Sequence, residues 1–241
     1  MRLSGLRLMV IAGPPSAGKT AVIKQMIGHM MDSGGKPAFL KVDVVRAFED
    51  EELRKEFGIP ARKVYSGDMC PDHMSIMIIK DAMEWALSEG ADTLIVESAG
   101  LCLRCTPYFT HSLGICVMSS LSGTHAPLKM APMIDLSDIC VVTKTDLISQ
   151  AEKEVFRESI RQVHLDMEIV ETNAIQGTGL RYLFRRMDEV GPIPDGAEIS
   201  LRGNPPLGVC TICIGKKTVG WQNHFGVIRR MDDADNIYRG E

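Results

Sequence analysis

The feature that most constrains this chain is the run G-P-P-S-A-G-K-T at residues 13–20, set between a continuous apolar stretch and an amphipathic pattern. Residues 8–12 (L-M-V-I-A) read as a strand buried on both faces of a parallel sheet. Val22, Ile23, Met26 and Ile27 follow at helical spacing. A strand, a glycine-bearing turn and a helix in that order make a phosphate-binding loop, because the glycines let the backbone close around an anion and several N–H groups converge on it at the positive end of the helix. The expected nucleotide ligands are Gly13, Pro14, Pro15, Ser16, Ala17, Gly18, Lys19 and Thr20. In this arrangement Lys19 reaches the β- and γ-phosphates and is counted with the catalytic residues, while the Thr20 hydroxyl coordinates Mg²⁺.

The rest of the chain alternates short apolar runs with helical patterns. Strands are expected over residues 38–42, 93–96, 115–118, 139–142 and 168–170, and a long helix over 73–89 with Ile76, Ile79, Met83 and Leu87 at core spacing. Met74, Met77 and Met83 read as packing rather than as metal ligands. That alternation is the signature of an α/β fold with a mostly parallel sheet flanked by helices. The composition shift G-P-I-P-D-G at 191–196 marks a linker, so 1–195 is expected to form the nucleotide domain and 196–241 a small β-rich C-terminal extension. Within the extension, 209–214 and 225–231 look like strands, 231–241 like solvated acidic surface, and Trp221, His224 and Phe225 like a small core or a partner surface. His29 and His164 fall on expected helices, and His111 and His125 in loops on the expected switch side.

A net charge of −4 and a pI near 5.9 give no basic face for nucleic acid. No apolar stretch is long enough to span a bilayer, so a cytoplasmic location without a membrane partner is expected.

Two segments narrow the ligand to guanine nucleotide. Residues 143–146 (T-K-T-D) follow a buried strand, where a loop at the carboxyl edge of a sheet reaches the base. The Asp146 carboxylate can accept from the guanine N1–H and amine, a donor pair that adenine lacks, with the Lys144 stem along the base plane. Asn173 and Ala174, followed by G-T-G-L at 177–180, resemble the last base-contacting loop of GTPases.

Of seven cysteines, Cys116 and Cys140 lie in apolar runs and read as core thiols. Cys102 with Cys105, and Cys210 with Cys213, form two C-x-x-C pairs. Two such pairs suit a tetrahedral metal or an iron–sulfur cluster, and residue types alone do not choose between them. The run around Cys210 and Cys213 reads equally as a strand with thiols in a small core. The Arg104 between Cys102 and Cys105 fits either a thiolate counter-charge or an exposed loop residue.

Over residues 6–190 the chain resembles the HypB/UreG group of nickel-insertion accessory GTPases, which serve hydrogenase and urease maturation. The resemblance is carried by the phosphate loop, K-V-D at 41–43, S-G-D-M-C-P-D-H at 66–73, E-S-A-G at 97–100, A-P-L-K at 126–129 and T-K-T-D at 143–146. It implies a P-loop domain of the SIMIBI type in which Asp43 lies near Mg²⁺ and the attacking water, Glu97 holds metal-bound water, and Gly100 senses the γ-phosphate. It also implies a Ni²⁺ or Zn²⁺ site at a homodimer interface made by Cys70 and His73, with Asp72 as an added residue and Cys105 as a further thiol. Thr143 stands where the family carries asparagine, which predicts a weaker anchor for the loop and leaves Asp146 to select guanine. No histidine-rich stretch is present near residue 1.

The resulting expectation is a GTP-hydrolysing metallochaperone or metallocentre assembly factor, slow without its partner, that delivers metal to a client enzyme. Its nucleotide state would alter metal affinity or subunit pairing. The alternatives are an iron–sulfur cluster-bearing GTPase or redox module, a regulatory GTP-binding protein with vestigial hydrolysis, and a kinase, the last disfavoured by the guanine-reading segments.

Overall fold

The computed structural model describes residues 5–44, 48–100, 108–204, 217–223, 228–233 and 236. The strands are β1 (Arg7–Ala12), β2 (Pro37–Asp43), β3 (Ala61–Tyr65), β4 (Thr93–Ser98), β5 (Ser112–Ser119), β6 (Ile139–Thr143) and β7 (Glu168–Glu171), and all but β3 coincide with apolar runs of the sequence. The helices are α1 (Lys19–Asp32), α2 (Glu49–Phe57), α3 (Pro71–Ser88), α4 (Ala126–Lys129), α5 (Ala131–Asp135), α6 (Gln150–Arg161) and α7 (Arg181–Asp188). The seven strands make one sheet in the order β3-β2-β4-β1-β5-β6-β7, and every pairing is parallel.

The period of two along each strand sends alternate side chains to opposite faces. Leu8, Val10, Leu40, Val96, Met118 and Val142 pack on one face with Met74, Met77 and Met83 of α3 and Phe156 and Ile160 of α6. Met9, Ile11, Phe39, Ile95, Val117 and Val141 pack on the other with Val22, Ile23, Met26 and Ile27 of α1 and Leu183 and Met187 of α7. All of these are buried. Each contributes about 1.5–3 kcal/mol, which is why the strands read as continuous apolar runs.

Because the sheet is wholly parallel, all seven carboxyl ends lie on one edge. β4 sits between β2 and β1, so successive connections run to one side of β1 and then to the other. The loop leaving β1 opens into the crevice where that direction reverses, the usual ligand site of such sheets.

Several expectations need correction. β3 and α2 were not foreseen, and the long helix starts at Pro71, so Asp72 and His73 are inside it. His29 lies on α1, but His164 lies beyond the end of α6. His111 occupies the turn entering β5, at the amino edge, away from the expected switch side, whereas His125 precedes α4 on the carboxyl side. Residues 209–214 lie outside the described residues, as do His224 and Phe225. Residues 228–231 are described and are not a strand. Met231 and Asn236 are buried, so the closing segment is not simply solvated surface.

The described parts of the tail lie on the α3 face. Ile199, Leu201, Val219 and Met231 join the same apolar cluster as Met74 and Ile79. Antiparallel bridges link Phe109 with Leu201 and Ser200 with Thr218. The Arg202 guanidinium donates to the carbonyls of Phe109 at 3.0 Å, Leu136 at 3.1 Å and Ser112, and to the Asp138 carboxylate at 2.7 Å.

Candidate functional site

A groove of about 530 Å³ opens on the carboxyl edge between the phosphate loop, the ends of β2 and β4, and the loop after β6. Its floor depends on glycine at two places. Gly18 takes a left-handed φ of 92° as α1 begins, and a Cβ on Gly100, itself at φ 65°, would collide with the Gly13 carbonyl. Gly100, just after β4, therefore lies directly against the phosphate loop.

Lys19 is buried, and its ammonium donates to the carbonyls of Gly13 at 2.9 Å and Pro14 at 3.2 Å. Burial lowers its pKa, opposed by nearby Glu97. Thr20, Asp43 and Glu97 line the same groove. Glu97 is 2% exposed, and burial raises its carboxyl pKa against the pull of Lys41 and Lys19.

Two residues that the sequence reading gave no role complete this cluster. The Lys41 ammonium lies 2.6 Å from Glu49, 3.3 Å from Glu97 and 3.7 Å from Asp43. Burial works against its charge, yet Glu97, Glu49 and Asp43 together raise its pKa, so Lys41 is a cation here. The signal was legible: a lysine inside the apolar run F-L-K-V is almost never buried unless paired. Glu49 Oε2 and Glu97 Oε2 are buried with no hydrogen-bond partner among the described residues. Orphaned carboxylate oxygens beside a threonine hydroxyl suit a hard, oxygen-ligated cation.

At the other end, the Thr143 hydroxyl donates to the Ala17 carbonyl at 2.6 Å, so threonine reaches the phosphate loop from this position. Lys144, at φ 59°, donates to the Ser16 carbonyl at 2.9 Å and gives the loop a second anchor. Asp146 follows, exposed, in a 3-10 turn at Thr145–Leu147 whose first residue is buried. Asn173 Oδ1 accepts from the Gln176 N–H at 3.1 Å, and Asn173 and Thr178 form an isolated antiparallel bridge, which shapes the loop that carries buried Ala174. The structure thus brings the phosphate, magnesium and base candidates to one edge.

The thiol candidates fare differently. Cys70 caps α3 and is half-buried, while His73, three residues on, is fully buried, and burial pushes its imidazole pKa down to about 4. Cys102, Cys105, Cys210 and Cys213, with Arg104, lie outside the described residues. Among the described residues, no group of three or more His, Cys, Asp or Glu side chains is arranged to hold a metal ion. Cys116 and Cys140 are buried partners across β5 and β6, as expected of core thiols.

One hydrogen-bond chain links the two halves of the problem. Ser98 Oγ accepts from the Gly100 N–H at 3.2 Å and donates to the Asp72 carboxylate, and Asp72 sits between Cys70 and His73 on α3. No helix among the described residues is long and apolar enough to cross a membrane.

Comparison with known proteins agrees with this geometry. Residues 7–171 match the family model described as CobW/HypB/UreG, nucleotide-binding domain. The chain is 40% identical to an uncharacterized protein of Methanocaldococcus jannaschii over 98% of this chain and 100% of that one. It is 27% identical to the urease accessory protein UreG 2 of Streptomyces griseus, over 70% of this chain and 81% of that protein. Among solved structures, HypB from Helicobacter pylori in complex with nickel aligns with a TM-score of 0.63 at 20% identity, covering 77% of this chain and 86% of that chain, which shows a shared fold.

Proposed function

Since the chain belongs to the CobW/HypB/UreG family of nucleotide-binding proteins, we propose that it is a GTP-hydrolysing metallochaperone or metallocentre assembly factor. The observation that carries the nucleotide part is the convergence of the phosphate loop, Asp43, Glu97, Thr143 and Asp146 on one sheet edge. Backbone N–H groups at the start of α1 and the Lys19 ammonium bind the phosphates. Asp146 reads the guanine edge, with Lys144 along the base and the Asn173–Ala174 backbone completing the pocket. Thr20, Asp43 and Glu97 are the residues that would hold Mg²⁺, which supplies charge neutralisation of the terminal phosphates when bound. Asp43 also orients the attacking water, and Gly100 registers the γ-phosphate through its contact with Gly13.

The metal part rests on Cys70 and His73 at the start of α3, with Cys102, Cys105, Cys210 and Cys213 as further ligands. Ni²⁺ and Zn²⁺ both accept thiolate with imidazole. The proteins named as relatives include a urease accessory protein and a nickel-bound HypB, which supports a nickel cargo and a client metalloenzyme. Pairing of two chains across the α3 start would let each supply ligands. The Ser98–Asp72 link is the route by which nucleotide state reaches this segment. Phosphate release from GTP and ATP, measured on the full chain, tests the core of the proposal: preference for GTP supports it, and equal use of ATP counts against it.

A further inference from the structure

The nucleotide groove contains a cation of the protein's own. Lys41 is 5% exposed, and its ammonium lies among the Glu49, Glu97 and Asp43 carboxylates at 2.6, 3.3 and 3.7 Å. An ammonium has three donors, whereas three carboxylates offer more acceptor sites than it can fill. The excess is visible: Glu49 Oε2 and Glu97 Oε2 are both buried without a hydrogen-bond partner among the described residues. Lys19 does not fill the gap, since its ammonium is directed to the Gly13 and Pro14 carbonyls. Among the described residues, the cluster thus carries more negative charge and more open oxygens than Lys41 satisfies.

Resting on the nucleotide reading above, we propose that Lys41 is a positioning residue that competes with Mg²⁺ for the carboxylates of Asp43 and Glu97, with Glu49 as the anchor that retains the ammonium when the divalent ion is bound. Two features favour this assignment. Glu49 makes the shortest contact to Lys41, and it is the first residue of α2, so it holds the ammonium from a different element than the two strand carboxylates. Asp43 and Lys41 are also two residues apart on β2, on the same side of the strand, so a cation at Asp43 is necessarily close to Lys41. Because Glu49 opens α2, the competition also links occupancy of the magnesium site to the position of that helix.

The test is retention of fluorescent mant-GDP by the full chain as Mg²⁺ is titrated. Removing the Lys41 charge leaves Asp43 and Glu97 uncompensated, so Lys41→Met lowers the half-saturating Mg²⁺ concentration about fivefold or more. Removing the Glu49 charge leaves Lys41 to Asp43 and Glu97 alone, so Glu49→Gln raises it about threefold or more. Lys41→Arg, which keeps the charge, returns the midpoint toward the parent value. A purely structural role moves Lys41→Met and Glu49→Gln in the same direction, and that result, or unmoved midpoints, overturns the proposal. Should Lys41→Met fail to fold by circular dichroism, Glu49→Gln still decides: a lowered or unchanged midpoint overturns it. A parent chain that retains no mant-GDP at any Mg²⁺ concentration overturns the nucleotide reading and this proposal together, whereas Mg²⁺-dependent retention with unmoved midpoints overturns this proposal alone.

Discussion

The Thr143 hydroxyl donates to the Ala17 carbonyl at 2.6 Å, joining the end of β6 to the phosphate loop across 126 residues of sequence. The same oxygen lies 3.3 Å from the Met118 carbonyl, and Gly18 packs against the Thr143 side chain. Thr143→Val keeps the shape and removes the donor, at a cost of about 1–1.5 kcal/mol, or roughly five- to fifteenfold in GDP affinity. Thr143→Asn, which restores a donor, loses less. Equilibrium binding of a fluorescent GDP checks both, and an unchanged affinity in Thr143→Val removes Thr143 as the anchor.

Under the proposed function, Asp146 governs the choice of base. Its carboxylate accepts two hydrogen bonds from guanine, each worth about 1.5–3 kcal/mol because the acceptor is charged. Asp146→Asn therefore weakens GDP binding by about a hundredfold or more. It also gains affinity for xanthosine diphosphate, whose base presents an acceptor where guanine presents the amine. Competition among GDP, XDP and ADP measures this, and equal affinities in the parent chain place the base elsewhere.

Most of this site was legible because its residues sit at the ends of strands that declare themselves by continuous apolar runs. The phosphate loop needs only the strand before it and the helix after it. β3 escaped because A-R-K-V-Y is an edge strand with alternating exposure and two charges. α2 escaped because Leu53 is its one buried side chain, leaving no apolar stripe to detect. The Lys41–Glu49 ion pair spans a strand end and the next helix, a fold-dependent proximity that spacing does not encode. The Thr143–Ala17 contact was not legible because comparison by residue type sees only a missing amide, whereas the fold brings the hydroxyl to a phosphate-loop carbonyl 126 residues away.

The Ser98 hydroxyl lies between Gly100 and Asp72. Ser98→Ala cuts that link without removing a charged group from the groove. The expected result is near-parental GTP affinity with a smaller difference in Ni²⁺ affinity between the GDP-bound and GTP-analogue-bound forms. Paired calorimetric titrations check it, and an undiminished difference places the coupling outside Ser98.

His73 gives the fold a pH dependence of known sign. Burial lowers its folded-state pKa to about 4, whereas an unfolded chain takes up the proton near pH 6.5. Between those values the unfolded state binds more protons, so the stability is fully present above about pH 6.5 and is lost as pH falls toward 4. The difference amounts to about 3 kcal/mol. Urea unfolding of the metal-free chain across this window should show the decline, and His73→Gln should flatten it. An equally steep decline in His73→Gln assigns the acid sensitivity to other groups.

Under the proposed function, guanine-nucleotide state and metal binding are coupled in one chain. The most direct measurement of this coupling is calorimetric titration of Ni²⁺, and separately Zn²⁺, into the full chain loaded with Mg²⁺ and either GDP or a non-hydrolysable GTP analogue. The expected affinities differ between the two nucleotide states by about 5- to 150-fold for at least one of the metals. Equal affinities for both metals in both states, or no binding in either, would contradict it.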